Sequence, residues 1–340
     1  MTPLIHDRPS FFDLCPKDRV LVGDIPYIVD KQVNGGMGCV YLLWQDTENA
    51  PKRMSSLGLK LALKAVLPDA ADAGGLALFH RELTVWSGFR HSNIVWLLEI
   101  IDGGDAGWLA AMDWCIGSLR DLLQKKQKLS LKDSTKIVGS ILDGLAYAYN
   151  QNKVLHLDLK PENVLYHLDF ARLMNKSQNP NEKDSISKYR FMVSDWGIAS
   201  IKQPGLNRIA GLPPSSQGAQ STFNNMGTLI YMAPERFEDG YSSSVASDVF
   251  SLGMIYFELL VGILPFRQDV HPVQSLVTGQ YLKDVQVLMK AHSVPKSVNS
   301  LILRMIAYNP RERISNYTDL QKELIKAWRN ANGFFGGIFK

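Results

Sequence analysis

Cysteine is scarce in this chain: Cys15, Cys39 and Cys115 are the only three among 340 residues, and no two stand in C-x-x-C spacing. An odd, scattered set excludes a disulfide framework and a cysteine zinc site, and is the pattern of reduced thiols in a cytoplasmic protein. Charge of one sign is also lacking. The 37 Lys and Arg residues face 33 Asp and Glu, a formal excess of +4. So small an excess gives no basis for nucleic-acid or membrane-surface binding, and neither partner is expected. Long hydrophobic runs are nearly absent. The longest, Phe250 to Phe266, carries Glu258 in its middle, which reads as a buried core helix and not as a membrane span. The N-terminal stretch shows no secretory h-region, and no internal repeat is present. What remains is ordinary globular composition, 46% hydrophobic and 21% charged, at a length that suits one large domain or two modest ones.

Two textures divide the chain. From about Tyr27 to Ala111, strand-like runs (CVYLLW, LKLALKAV, NIVWLLEII, GWLAAMDW) alternate with one helical stretch, Ala77 to Phe89. In that stretch Leu78, Phe79, Leu83 and Trp86 fall near helical spacing. After Gly117 the pattern turns helical. Ser130 and Asp133 have capping-box spacing, and Ile137, Ile141, Leu145 and Tyr149 recur every fourth residue. Three polar stretches, 45–58, 167–190 and 203–226, read as loops or insertions. The expected fold class is α+β, a small sheet-rich lobe followed by a larger helical one.

Between two strand-like segments lies Val33-Asn34-Gly35-Gly36-Met37-Gly38-Cys39-Val40. Glycines there let a hairpin bend tightly and bring N–H groups against phosphate oxygens, although glycine-rich hairpins also serve as plain turns. The next strand carries Lys64 inside LALKAV, a costly place for a cation unless it meets an anion or lies on a sheet edge. Glu82, on the following helical stretch, is its natural partner. Further on comes His156-Leu157-Asp158-Leu159-Lys160-Pro161-Glu162-Asn163, and then Ser194-Asp195-Trp196-Gly197 after an apolar run. Asp158, Lys160 and Asn163 along one loop can orient a hydroxyl, neutralise a transferring phosphoryl group and ligate a metal. Asn163 and Asp195 offer the few oxygen ligands that Mg²⁺ takes beside phosphate. Any one of these acids alone would read as a solvated loop residue; the ordered set is far more specific.

On these residues the chain resembles the eukaryotic-like protein kinase superfamily, over roughly Arg19 to Asn330, and its glycine loop resembles that of bacterial serine/threonine kinases. Gly227-Thr228-Leu229-Ile230-Tyr231-Met232-Ala233-Pro234-Glu235 is similar to the end of an activation segment. Asp248 is similar to the aspartate opening the family's buried central helix, and Arg313 to the arginine that pairs with the Ala-Pro-Glu glutamate, here Glu235. The resemblance implies a two-lobed kinase fold, with an extension over 1–18, a domain over 19–330 (lobes about 19–113 and 116–330) and a tail over 331–340. It implies ATP with Mg²⁺, or Mn²⁺ in its place, and protein substrates with serine or threonine acceptors. The glycine loop, from Val33 through Asn34, Gly35, Gly36, Met37 and Gly38 to Val40, would cover the phosphates. Lys64 would hold the α- and β-phosphates, anchored by Glu82. Asp158 would be the catalytic base and Lys160 would steady the γ-phosphoryl group. Asn163 and Asp195 would bind the metal. Ala62 and the gatekeeper Met112 would line the adenine pocket, with Asp113 to Cys115 as hinge. Lys160 and Thr228 point to serine/threonine over tyrosine specificity.

Three positions depart from the family pattern. Val33 stands where the loop's first glycine usually sits, and Trp196 replaces the phenylalanine of Asp-Phe-Gly. Leu157 replaces the arginine that usually precedes the catalytic aspartate and receives an activation-loop phosphate, so basal activity is expected to be largely independent of phosphorylation at Ser215, Ser216, Ser221 or Thr222. The excess between Asn163 and Asp195, about 169–188, reads as an exposed insertion. The rival readings are a pseudokinase scaffold and a small-molecule phosphotransferase of kinase fold. The sequence carries no sign of oligomeric state.

Overall fold

The computed structural model describes residues 14–22, 25–35, 38–47, 60–66, 80, 83–102, 108–169, 186–196, 229–238, 243–267 and 269–332. The chain divides into two compact units, Met1–Cys115 with Trp196–Ile201, and Ile116–Asp195 with Lys202–Lys340.

In the first unit, β1 (Arg19–Val22), β2 (Ile25–Gly35), β3 (Gly38–Gln45), β4 (Lys60–Val66), β5 (Leu97–Asp102) and β6 (Trp108–Asp113) form one sheet. All pairs are antiparallel, in the order β1-β2-β3-β4-β6-β5. Successive side chains on a strand point to opposite faces, and the sequence uses this alternation. Cys39, Tyr41, Leu43, Leu61, Leu63, Leu109 and Ala111 share one face and form a core with Leu14, Tyr27 and Val29. The register puts Val40, Lys64 and Ala110 in one row on the opposite face, and Leu42, Ala62 and Met112 in the next. Leu14 reaches this core from ahead of β1, where the Lys17 amide donates to the Val29 carbonyl at 2.8 Å.

The described part of the expected 77–89 helix is helical over 83–87. It turns Leu83 and Trp86 inward, and the Trp86 indole donates to the Val95 carbonyl at 2.8 Å. The expected strand over NIVWLLEII begins only at Leu97. Ahead of it the chain is held instead by turn contacts such as the Ile94 amide on the His91 carbonyl at 3.1 Å. Trp196, fully buried, meets Phe89 edge-on with ring centroids 5.4 Å apart.

The second unit holds β7 (Gly117–Ser118), α1 (Leu119–Lys126), α2 (Leu131–Asn152), β8 (Val164–Leu168), β9 (Tyr189–Val193), α3 (Val245–Val261), α4 (Pro272–Val277), α5 (Tyr281–Ala291), α6 (Lys296–Met305) and α7 (Tyr317–Asn332). β7, β8 and β9 make a small antiparallel sheet. Ser130 caps α2 by accepting from the Asp133 amide at 3.1 Å, as its spacing predicts. α1 carries a full capping box between Ser118 and Asp121 that the sequence reading passed over. The run expected to be a core helix forms one only as far as Val261, where Gly262 ends it and Ile263 is exposed; α3 itself is buried along its whole length and packed against α2 and α6. Gly253 lets it approach so closely: a Cβ there would lie 2.6 Å from Ile306 Cγ2 and 2.8 Å from Met305 Cβ. Among the described residues, no helix is long and apolar enough to cross a membrane.

The 169–188 insertion springs from a closed base, the Asp169 amide donating to the Lys188 carbonyl at 2.8 Å. Its last residues are not all exposed as expected, since Ile186 is buried. Residues 170–185 lie outside those described, as do the 198–226 stretch and residues 333–340 of the tail.

Candidate active site

The loop after α2 is pinned from several sides. Asp248, near the start of α3 and fully buried, accepts the His156 amide at Oδ2 (2.8 Å) and the Leu157 amide at Oδ1 (2.7 Å). The Tyr317 hydroxyl donates to the same Oδ2 at 2.8 Å. Burial first, then the Asp248 carboxylate, push the Tyr317 phenol well above its ordinary value, so it stays protonated and donates. The His156 ring accepts the Asp158 amide at Nδ1 (3.3 Å) and therefore donates from Nε2 to the Ser194 carbonyl at 2.8 Å. This neutral tautomer ties the loop to the residue before Asp195.

Asp158 is buried, and two side chains converge on it. Lys160 Nζ lies 3.2 Å from Asp158 Oδ2. Asn163 Nδ2 donates to the Asp158 carbonyl at 2.8 Å and to Oδ2 at 3.1 Å. The Asn163 amide nitrogen is thus committed, and the atom it can offer a cation is Oδ1. Val164 and Val193 pair across β8 and β9, and the Ser194 amide donates to the Asn163 carbonyl at 2.9 Å. Asn163 and Asp195 are therefore carried by neighbouring strand ends. Asp195 sits in the left-handed region with φ 62°, which aspartate adopts more readily than most non-glycine residues. One amide oxygen and one carboxylate, both hard donors, fit Mg²⁺, which takes its other ligands from phosphate and water.

The first unit carries the remaining expected site residues. Lys64, on β4, is buried between Val40 on β3 and Ala110 on β6. Ala62 and Met112 face each other across β4 and β6, and both are buried. Val33, half exposed, opposes Val40 where the β2–β3 hairpin narrows to Asn34↔Cys39 and Gly35↔Gly38. Backbone register is thus known for Asn34, Gly35 and Gly38, while Gly36 and Met37 lie outside the described residues. Asp113 commits its amide to the Trp96 carbonyl at 3.1 Å, and the Cys115 thiol approaches the Asp113 carbonyl at 3.8 Å. Glu82, and with it the expected Lys64–Glu82 pair, lies outside the described residues, as do Gly197, Gly227 and Thr228.

The expected Glu235–Arg313 pair is present and bidentate. Arg313 Nη1 and Nη2 lie 2.8 Å from the two Glu235 carboxylate oxygens, both side chains fully buried. The sequence reading missed a second network. Arg120 on α1 donates to Glu162 (2.8 Å), Glu258 (2.6 Å) and the Tyr231 hydroxyl (2.5 Å). Glu258, the one charge in the apolar run 250–266, was the signal available, because a buried carboxylate calls for a partner. A third missed residue, Arg236, donates to the Leu157 carbonyl.

A β-sheet unit, and a helical unit with a loop gathering an aspartate, a lysine and an asparagine, are the arrangement that the resemblance implied. Residues 34–325 match the family described as Protein kinase domain, and the chain belongs to that family. It is 30% identical over 215 residues to a probable myosin light chain kinase of Dictyostelium discoideum, covering 63% of this chain and 47% of that one. It is 26% identical over 297 residues to the serine/threonine-protein kinase PrkC of Bacillus subtilis, covering 86% of this chain and 39% of that one. The chain thus spans less than half the length of either relative. Among solved structures, Rad53 1-466 in complex with AMP-PNP is similar with a TM-score of 0.62 at 20% identity, over 87% of this chain and 64% of that one. That likeness concerns the fold.

Proposed function

We propose that this chain is an ATP-dependent serine/threonine protein kinase, with its kinase domain over about 19–330. The observation that carries the reading is the buried Asp158 carboxylate with Lys160 Nζ at 3.2 Å and Asn163 Nδ2 at 3.1 Å, on a loop pinned by Asp248. The hydroxyl oxygen of the acceptor attacks the γ-phosphorus, the bond to the β,γ-bridging oxygen breaks, and ADP leaves with that electron pair. Asp158 orients the attacking hydroxyl and takes its proton. Lys160 neutralises charge on the transferring phosphoryl group. Asn163 and Asp195 hold Mg²⁺, which when bound supplies charge neutralisation at the phosphates. Lys64 holds the α- and β-phosphates with Glu82 as its anchor, under the glycine loop 33–40. Ala62, Met112 and the 113–115 hinge receive adenine. Nucleotide binding is also in keeping with the AMP-PNP complex of Rad53. The relatives named serine/threonine kinases favour those acceptors. Cytoplasmic residence accompanies the reading, on the strength of three free cysteines.

Leu157 puts no charge beside Asp158, so the enzyme is of the type that needs no loop phosphate, and its basal activity is independent of phosphorylation at Ser215, Ser216, Ser221 or Thr222. The test is labelled-ATP transfer to a generic protein substrate by phosphatase-treated protein, beside Asp158→Asn, followed by mapping of the modified residues. Phosphoserine and phosphothreonine, reduced at least about 1,000-fold in the variant, are expected. Equal background in both proteins would make the chain a scaffold. Label on a metabolite alone would make it a small-molecule phosphotransferase. Silence relieved by prior phosphorylation would refute the basal-activity reading.

A further inference from the structure

Leu157 occupies the left-handed region with φ 61°. A leucine has no intrinsic reason to be there, because its Cβ crowds the following carbonyl, and unrestrained it adopts that region at roughly one part in ten or less. Something must hold this peptide, and the ties of the turn can be followed one group at a time. The His156 and Leu157 amides go to the two oxygens of Asp248. The Asp158 amide goes to the His156 ring, and the Asp158 carbonyl receives Asn163 Nδ2. The Lys160 carbonyl receives the Asn163 amide. These ties come from α3 or from the loop itself. The Leu157 carbonyl is held differently, by Arg236 Nη1 from the short turn Pro234–Phe237.

Arg236 is well placed to act as a fixed strut. Its neighbour Glu235 is anchored by Arg313, and the Arg236 amide closes its own turn on the Ala233 carbonyl at 3.0 Å. Burial draws the Arg236 guanidinium below its ordinary value, and the carboxylates of Asp248, Asp158 and Glu235 draw it back up. The cation thus stands in the field of three carboxylates, one of them Asp158, while its hydrogen bond goes to the carbonyl one residue ahead of Asp158.

We propose that Arg236 is a positioning residue for phosphoryl transfer: by holding the Leu157 carbonyl it keeps the left-handed turn that aims Asp158, without a phosphate on either partner. This rests on the kinase reading above. If the strut is lost, Leu157 relaxes toward negative φ, its peptide rotates, and Asp158 is carried off line. Nucleotide binding, which depends on other residues, is left alone. A glycine at 157 adopts the same φ without penalty, so the need for Arg236 should largely disappear with Leu157→Gly.

The experiment compares wild type, Arg236→Met, Leu157→Gly and the double variant, all treated with phosphatase, by steady-state kinetics and amide hydrogen exchange. Arg236→Met should lower kcat about 10- to 100-fold with KM for ATP within about twofold. In the Leu157→Gly background the same substitution should lower kcat less than about threefold. Amides of residues 156–160 should exchange faster in Arg236→Met, while those of α7 keep their wild-type protection. Equal losses in both backgrounds, or unchanged exchange over 156–160, would overturn the proposal. If Arg236→Met does not fold, Arg236→Lys, which keeps the charge but not the guanidinium fork, is read in the same way. Collapse of both variants would also overturn it, leaving Arg236 a structural residue. Should wild type transfer no phosphate at all, the kinase reading fails, and the exchange data still decide whether the strut exists.

Discussion

Replacing Arg313 by methionine removes the cation from a pair in which both side chains are essentially without solvent, 0% exposed for Arg313 and 3% for Glu235. Screening by water therefore offers little relief. Two guanidinium–carboxylate bonds at 2.8 Å disappear, leaving the Glu235 charge facing Ser247 Oγ at 3.1 Å. Breaking a buried pair on one side costs about 3–5 kcal/mol. Arg313 also serves the carbonyls of Ala307 (2.6 Å), Ala246 (3.1 Å) and Tyr308 (2.9 Å). Of these three bonds only the one to Ala246 is fully buried, and that acceptor left bare adds roughly 1 kcal/mol. The expected loss is about 4–6 kcal/mol, a large share of the roughly 5–15 kcal/mol a folded domain commands. Glu235→Gln keeps the shape and should cost about 3 kcal/mol. In the double variant no charge is stranded, so its loss should fall short of the summed single losses by about 2 kcal/mol. Urea unfolding followed by far-ultraviolet circular dichroism measures all four proteins, the shift in midpoint at constant slope giving the energy. A loss below about 1 kcal/mol for Arg313→Met, or strict additivity in the cycle, would refute the argument that this pair anchors the 229–238 segment.

Gly253→Ala forces a methyl group to within 2.6 Å of Ile306 Cγ2 and 2.8 Å of Met305 Cβ, so α3 must move away from the end of α6. Overpacking of about 1–3 kcal/mol, partly offset by the better helix propensity of alanine, predicts a net loss of about 1–2 kcal/mol in the same urea assay. An unchanged or higher midpoint would contradict so tight a contact between α3 and the end of α6. Tyr256, buried on α3 with its hydroxyl 2.7 Å from Thr135, has its phenol pushed up to about 12, chiefly by burial. The folded value lies above the unfolded one of about 10. The stabilisation is thus complete below pH 10 and lost as pH rises through 12, at about 1.4 kcal/mol per unit. Tyr256→Phe should flatten that alkaline limb by this amount, as read from urea midpoints at pH 9 to 11.5, and an identical limb in the variant would contradict the assignment.

The legible part of this protein is the part written in local spacing. The runs CVYLLW and LKLALKAV were legible as strands, while the sheet decided which of their residues enter the core, strand side chains changing face at every residue. The same rule put Lys64 on the opposite face from Tyr41, Leu61 and Leu63. The fourfold spacing after Ser130 marked α2 and its cap, and the charge inside the 250–266 run marked a protein core and not a bilayer. The order Asp158, Lys160, Asn163, Asp195, with the other motifs, was enough to point to the family that residues 34–325 match. The strand ahead of Leu97 and the exposure of Ile186 were misjudged, the first giving way to local turn contacts such as the Ile94 amide on the His91 carbonyl and the second to burial in the folded chain.

Tertiary structure alone decided what holds the candidate site in shape. Asp248 lies 92 residues from His156, whose amide it accepts, and Arg120 lies 138 residues from Glu258. No periodicity links such positions, because each pairing depends on how helices and loops pack and on which carboxylates lose their water. Arg236 is the clearest case. In the sequence it is one more basic residue after Ala-Pro-Glu, and Leu157 is a missing arginine. Only the folded chain brings that guanidinium to the carbonyl of that leucine, and makes a left-handed turn beside Asp158 tenable.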